Sequence, residues 1–401
     1  MNPRLSVSLV AALLVATLVG CAGRPPSGHA APVQAGCSPT AGTPAGTAAS
    51  LLAVLSNARS EHKLNAIIFR ATIDSKDVLT TALGDSTPGV PASTAMHFRV
   101  GMPAEQFETT MLMQLVDQRR IALDDRVATW FPKYPHAGAT TVRMLGASSS
   151  GFGDYVYGPG TPAKNVPSFE SVLYRDPYRQ FTASELIARS QAPYQVPQYA
   201  NPGADWQYSH TNYAMLGSIL ERVTGRDYGA LLQDSIAKKL GLRDIVYSTS
   251  ANIQAPVLHA FTSERSTYED STKWSPSWTS FSGSMNSTVC DLATWEQAFG
   301  SGALLTPASA AEIVAPTNVG LGKNSRSLYF GLGTIVNNGW LLANGNYFGW
   351  HTATAYYPPQ RIALVVTLTE GPKTTSGNAL TNGIFKAMSS VLTPKSPITI
   401  P

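Results

Sequence analysis

Charge is scarce in this chain of 401 residues: Asp, Glu, Lys and Arg make up 13%, and 29 basic against 25 acidic residues leave a formal +4. The basic residues are scattered, with Arg119-Arg120 and Lys238-Lys239 the densest pairs, so no phosphate-tracking groove and no nucleic-acid partner are expected. Cysteine is scarcer still, with only Cys21, Cys37 and Cys290. There is no Cys-x-x-Cys and no His-Glu-x-x-His, and the seven histidines are far apart, which removes the usual metal sites. The chain also lacks a GxxxxGK[ST] phosphate cradle and a Gly-x-Ser-x-Gly elbow, and Gly331-x-Gly333 reads as a strand glycine pair. No cofactor is therefore expected. No apolar run reaches the ~20 residues that a membrane-spanning helix needs. What is present is a hydrophobic content of 43%, too high for a disordered chain. The length is two to three times that of a typical ~150-residue domain, so one large α/β body or a two-lobed, enzyme-sized fold is expected.

The chain opens with Arg4 and an apolar run from Leu5 to Val19, of the length a secretory signal uses. Leu18-Val19-Gly20-Cys21 resembles the lipobox of bacterial lipoprotein signals, in which the cysteine is lipidated and becomes the mature N-terminus. The resemblance implies a signal peptide over 1–20, lipid on Cys21, and a protein tethered to the extracytoplasmic face of the cell membrane, since more than one acyl chain gives stable anchoring. Residues 21–50 are Ala, Gly, Pro, Ser and Thr with hardly a large apolar residue, the composition of a flexible linker. An exported chain can join Cys37 to Cys290 in a disulfide or leave two thiols, and spacing does not decide between them.

From Leu51 the pattern becomes that of a folded domain over 51–401. Leu51, Leu52 and Leu55 recur at helical spacing, and 66–69 and 78–83 read as strands joined by an Asp-Ser-Lys-Asp turn. Residues 361–369 form an unbroken β-rich run, long and apolar enough for a buried central strand. Leu380, Ile384, Met388 and Leu392 make one stripe on a closing helix. Between these ends lie helical patterns, among them two that stop at Gly225 and Gly241, glycines suited to a left-handed C-cap.

Several local sequences carry a family likeness: Phe98-Arg99-Val100-Gly101, Leu115-Val116-Asp117 with Leu123-Asp124-Asp125, Ser149-Ser150-Gly151-Phe152-Gly153-Asp154-Tyr155, Asn201-Pro202-Gly203 with Tyr208-Ser209-His210-Thr211-Asn212-Tyr213, and Gly283-Ser284-Met285-Asn286-Ser287-Thr288 with Asp291-Leu292-Ala293. In this order the chain resembles the serine β-lactamase and D,D-peptidase superfamily, closest to its class C and esterase-like hydrolases. The resemblance implies an α/β (α+β) two-lobed fold. Both chain ends build a mainly antiparallel sheet flanked by helices, the middle, roughly 104–315, forms a helical lobe, and a cleft lies between the lobes.

In that family a Ser-x-x-Lys at a helix start supplies nucleophile and base, a Tyr-x-Asn loop relays protons, and a Lys-Thr-Gly or His-x-Gly strand closes the pocket. Each is rewritten here. Met102-Pro103-Ala104-Glu105 occupies the first position, Tyr208-Ser209-His210 keeps only the tyrosine of the second, and the ungapped third falls on Ala343-Asn344-Gly345, with His351-Thr352-Ala353 the poorer alternative. Methionine has no ionisable atom with which to attack a carbonyl, so covalent acyl transfer at 102 is excluded. Ser60-x-x-Lys63 and Ser235-x-x-Lys238 match the first motif only by chance spacing, and Ser148, Ser149 and Ser150 read as loop hydroxyls without a base.

Glu105 and His210 occupy the positions of the family's lysine and asparagine, and are expected to pair, with Tyr208 joining them. Such a pair raises the imidazole pKa and depresses that of the carboxyl. Three function classes follow: a catalytically degenerate envelope lipoprotein that binds a peptidoglycan fragment, peptide, lipid or partner protein; a hydrolase of an ester, amide or β-lactam that activates water with Glu105, Tyr208 and His210; and a structural or assembly factor. Tyr155, Tyr157, Trp206 and Trp350 offer aromatic surface for a groove.

Overall fold

In the computed structural model, residues 38–157, 166–192, 197–374, 377 and 379–400 are described. The signal and lipobox, Cys21 and Cys37 lie outside the described residues. Cys290 is disulfide-bonded.

The expected two-lobed architecture is present. Helix α1 (Thr47–Glu61) starts inside the stretch read as linker, and ahead of it Thr40 bonds to Thr80 and Asp77. Strands β1 (Ala66–Ile73) and β2 (Lys76–Thr87) form the expected hairpin. Its turn places Asp74 and Ser75 at φ 51° and 65°, the left-handed pair that a tight hairpin matching strand twist requires. The sheet is completed by β3 (Val90–Pro91), β4 (Leu328–Phe330), β5 (Ile335–Asn337), β6 (Trp340–Tyr347), β7 (Trp350–Tyr357) and β8 (Ile362–Thr369). The order is β3-β2-β1-β8-β7-β6-β5-β4, antiparallel throughout, so the two chain ends meet at the β1–β8 pair. All eight residues of β8 are buried, as its unbroken apolar run requires.

Each sheet face is covered by helices whose stripes match it. Leu51 and Leu55 of α1 and Leu380, Ile384 and Met388 of the closing helix Ala379–Leu392 bury into one apolar cluster with Ile67, Phe69, Leu364 and Val366 of the sheet. The opposite face meets the helical lobe. There helix α2 (Ala104–Asp117) is buried along almost its whole length, helix α3 (His210–Thr224) crosses it, and helix α4 (Val289–Gly300) packs on β8, β7 and β1. The closing helix is α5. Both expected C-caps are left-handed glycines, Gly225 at φ 69° and Gly241 at φ 68°. Among the described residues no helix is long and apolar enough to cross a membrane.

Candidate functional site

Two backbones meet where the sheet touches the helical lobe. Gly101, at φ 67° just before α2, lies against Gly345 of β6, and a β-carbon on Gly345 would fall 2.6 Å from the Met102 nitrogen. Only glycine allows that approach. Above this contact opens a cavity of about 350 Å3, in the size range of a small-molecule site. Met102, Trp206, Tyr208, His210, Trp278 and Tyr347 are among its walls.

The rewritten motif positions therefore surround one cavity, with two exceptions. Ala343 is buried in the sheet, and its neighbours Asn344 and Gly345 face the cavity in its place. Glu105 lies beneath the wall, fully buried. Of the aromatics, Tyr157 and Trp206 line the cavity; Tyr155 sits behind it with its hydroxyl on the Trp278 carbonyl, and Trp350 is a core residue bonded to Leu258 O. His351 is on β7, 1% exposed at its side chain and 2.7 Å from Glu370, away from the cavity. Ser60 and Ser235 are also away from it. Ser148 and Ser150 are buried against Asn212 as structural hydroxyls.

The expected Glu105–His210 pair does not form. Tyr208 Oη donates to Glu105 Oε1 at 2.5 Å, while His210 Nδ1 lies 3.1 and 3.2 Å from the two carboxylate oxygens of Asp154. The consequence for Glu105 is opposite to that expected. Burial pushes its carboxyl pKa well up; hydrogen bonds from Tyr208 and Tyr213 offset this only in part, and the nearby Asp154 charge adds to it. One turn on, Glu108 is raised in the same way, by burial first and Glu105 second. A carboxyl in such surroundings takes a proton rather than remain charged without a cation. Tyr208 is likewise held far above the ordinary phenol range by burial and by Glu105, which removes it as a base.

Asp154 is the residue that sequence reasoning missed as a partner. It ends the Ser149-to-Asp154 stretch of the family-like string, and it reaches His210 across 56 positions from a loop with no periodicity to announce the contact. Its carboxylate is otherwise held by the Val156 amide at 2.8 Å. Among the described residues no cluster of three or more His, Cys, Asp or Glu is arranged to hold a metal.

Comparison with known proteins agrees with this geometry. The family described as Beta-lactamase matches residues 26–388. Esterase EstB of Burkholderia gladioli is 27% identical over 169 residues, 40% of this chain and 41% of that protein. Penicillin-binding protein 4 of Amycolatopsis lactamdurans is 30% identical over 161 residues, 38% and 37% of the two chains. The matches thus span about two fifths of those relatives' length. Among solved structures, a D-stereospecific amidohydrolase from Streptomyces sp. superposes with a TM-score of 0.72 at 24% identity, covering 85% of this chain and 99% of that one. The D-amino acid amidase of Ochrobactrum anthropi SV3 gives 0.72 at 21%, covering 86% and 97%. A match over most of its length, a sheet closed by both chain ends and a cavity ringed by the three motif positions place this chain in the Beta-lactamase family.

Proposed function

We propose that this chain is a non-acylating member of the family, a lipid-anchored envelope protein that uses the family's cleft to hold a small ligand. One observation carries the reading: at the start of α2, where a nucleophile and its lysine would share a helix face, the cavity meets a thioether, and the residue three positions on is a buried carboxyl bonded to Tyr208. The cavity's own hydroxyls are committed elsewhere. Ser282 Oγ donates to Thr279 O and Thr279 Oγ1 to Pro276 O, with neither bonded to His210. The walls suit a ligand with an apolar or aromatic group of modest size, because burying such surface against Trp206, Trp278, Phe330 and Tyr347 is the main favourable term available. A carbonyl-bearing envelope fragment, such as an N-acyl amino acid or a short peptide, fits that description.

The test is tryptophan fluorescence and melting temperature of the full chain, titrated with N-acyl amino acids and peptidoglycan stem peptides. Saturable quenching with a rise in melting temperature is expected, since a ligand that binds only the native state stabilises it by mass action. A flat response to every compound would favour a structural or assembly role.

A further inference from the structure

We infer that Asp154 and His210 form a water-activating dyad that hydrolyses a small ester bound in the cavity without an acyl-enzyme. This rests on the reading of the cavity as a ligand site. A carboxylate only accepts hydrogen bonds, so with both Asp154 oxygens facing Nδ1 the proton of a neutral His210 ring sits on Nδ1. That tautomer leaves the lone pair on Nε2. His210 lines the cavity, and its Nε2 has no partner among the described residues.

The ring is also held in place. Tyr208 meets it edge-on with centroids 4.9 Å apart, and Tyr155, Tyr157 and Trp278 stand at 5.8, 5.7 and 6.1 Å. Of the ionisable side chains lining the cavity, imidazole is the one whose ordinary range reaches neutrality, and the others are tyrosines. A fixed base aimed into an apolar cavity, its far nitrogen oriented by a buried acid, is the arrangement that general-base catalysis requires.

The step balances without a co-reactant. Nε2 takes a proton from water as the water oxygen bonds to the ester carbonyl carbon. The tetrahedral species then collapses, the ester C–O bond breaks, and the imidazolium returns its proton to the departing alkoxide. The products are a carboxylic acid, which loses its proton to solvent, and an alcohol. Met102 lines the cavity beside Gly345, and in this scheme its backbone amide is the donor assigned to the carbonyl oxygen. His210 is the catalytic residue in this scheme and Asp154 a positioning residue.

The full chain is assayed with p-nitrophenyl butyrate, alongside tryptophan quenching by butyranilide, an amide of similar shape that turns over slowly. Turnover is expected to fall about 100-fold or more in His210→Ala, with quenching retained and added imidazole restoring part of the rate. Asp154→Asn should lower the rate and displace the pH at which it rises, which a purely structural contact would not do. The groups facing the ring that bear on this profile are Asp154, Tyr155, Tyr157 and Tyr208, with Glu105 behind Tyr208 and Glu264 behind Tyr157. Quenching without turnover in the unaltered chain, or turnover that survives His210→Ala, overturns the dyad and leaves the ligand site standing. Absence of both overturns the ligand site as well. Turnover blocked by a fluorophosphonate with a serine adduct overturns both.

Discussion

The two halves of the site have opposite characters. Glu105, fully buried on a helix that runs through the middle of the lobe, accepts a hydrogen bond from Tyr208, whose ring separates it from the cavity. Asp154 and His210 start from a similar pairing of an acid with a ring, but the acid is the buried partner and the ring keeps one nitrogen toward the cavity. The first pair satisfies polar groups that folding has trapped; the second satisfies one side of a group and leaves the other available. With Met102 and Glu105 in place of the first motif's serine and lysine, and His210 in place of the second motif's asparagine, two separate acid–ring pairs stand where the family has one connected set.

Perturbing each half in turn should separate turnover from stability. The largest expected effect is the loss of turnover in His210→Ala described above, with a stability loss of about 1–3 kcal/mol because the buried Asp154 carboxylate loses its imidazole partner. Next is Tyr208→Phe, which strips the Glu105 carboxyl of its phenol donor. A loss of about 1–3 kcal/mol in chemical denaturation is expected, with turnover changed only a few-fold. If Tyr208→Phe removes turnover instead, the division between the halves is wrong. Gly345→Ala pushes a methyl group to 2.6 Å from the Met102 nitrogen. It should cost about 1–3 kcal/mol through overpacking and abolish ligand quenching by shifting the cavity floor.

The last effect concerns pH. Glu105, Glu108 and Glu296 have native pKa values raised by burial, that of Glu296 to about 8. The native state therefore holds protons that the unfolded chain gives up above 4.5, so this stabilising contribution is complete below that pH and is lost as pH rises through the native values. Each such carboxyl adds a downward slope of up to about 1.4 kcal/mol per pH unit within its window. Glu296→Gln should remove one share of that slope between pH 4.5 and 8 in a series of denaturation curves. An unchanged slope would mean that Glu296 is ionised in the native protein.

Much of the frame was legible because it is local. The β1–β2 turn, the apolar run of β8, the stripe on α5 and the glycine caps each follow from a few neighbouring residues, and all are present. The motif positions 102, 208 and 345 could be placed by order along the chain, and they do converge on one cavity. What could not be read was pairing across distance. Glu105 replaces the family's lysine and is therefore the acid that the motif order sets against His210; the loop that delivers Asp154 has no pattern that shows where its side chain goes. Nor does α2 reveal that Glu105 and Glu108 are sealed, since its polar residues suggest an exposed face while the lobe closes around all of it. Trp350 likewise reads as groove surface in a string and proves to be core.

The most direct test of the central claim is intact-mass spectrometry of the full chain after incubation with a penicillin, an activated ester and a fluorophosphonate, beside an acylating family member. An unmodified mass is expected in all three cases, because the cavity holds no activated hydroxyl. A stoichiometric adduct on a single serine would contradict it and restore this chain to the covalent hydrolases.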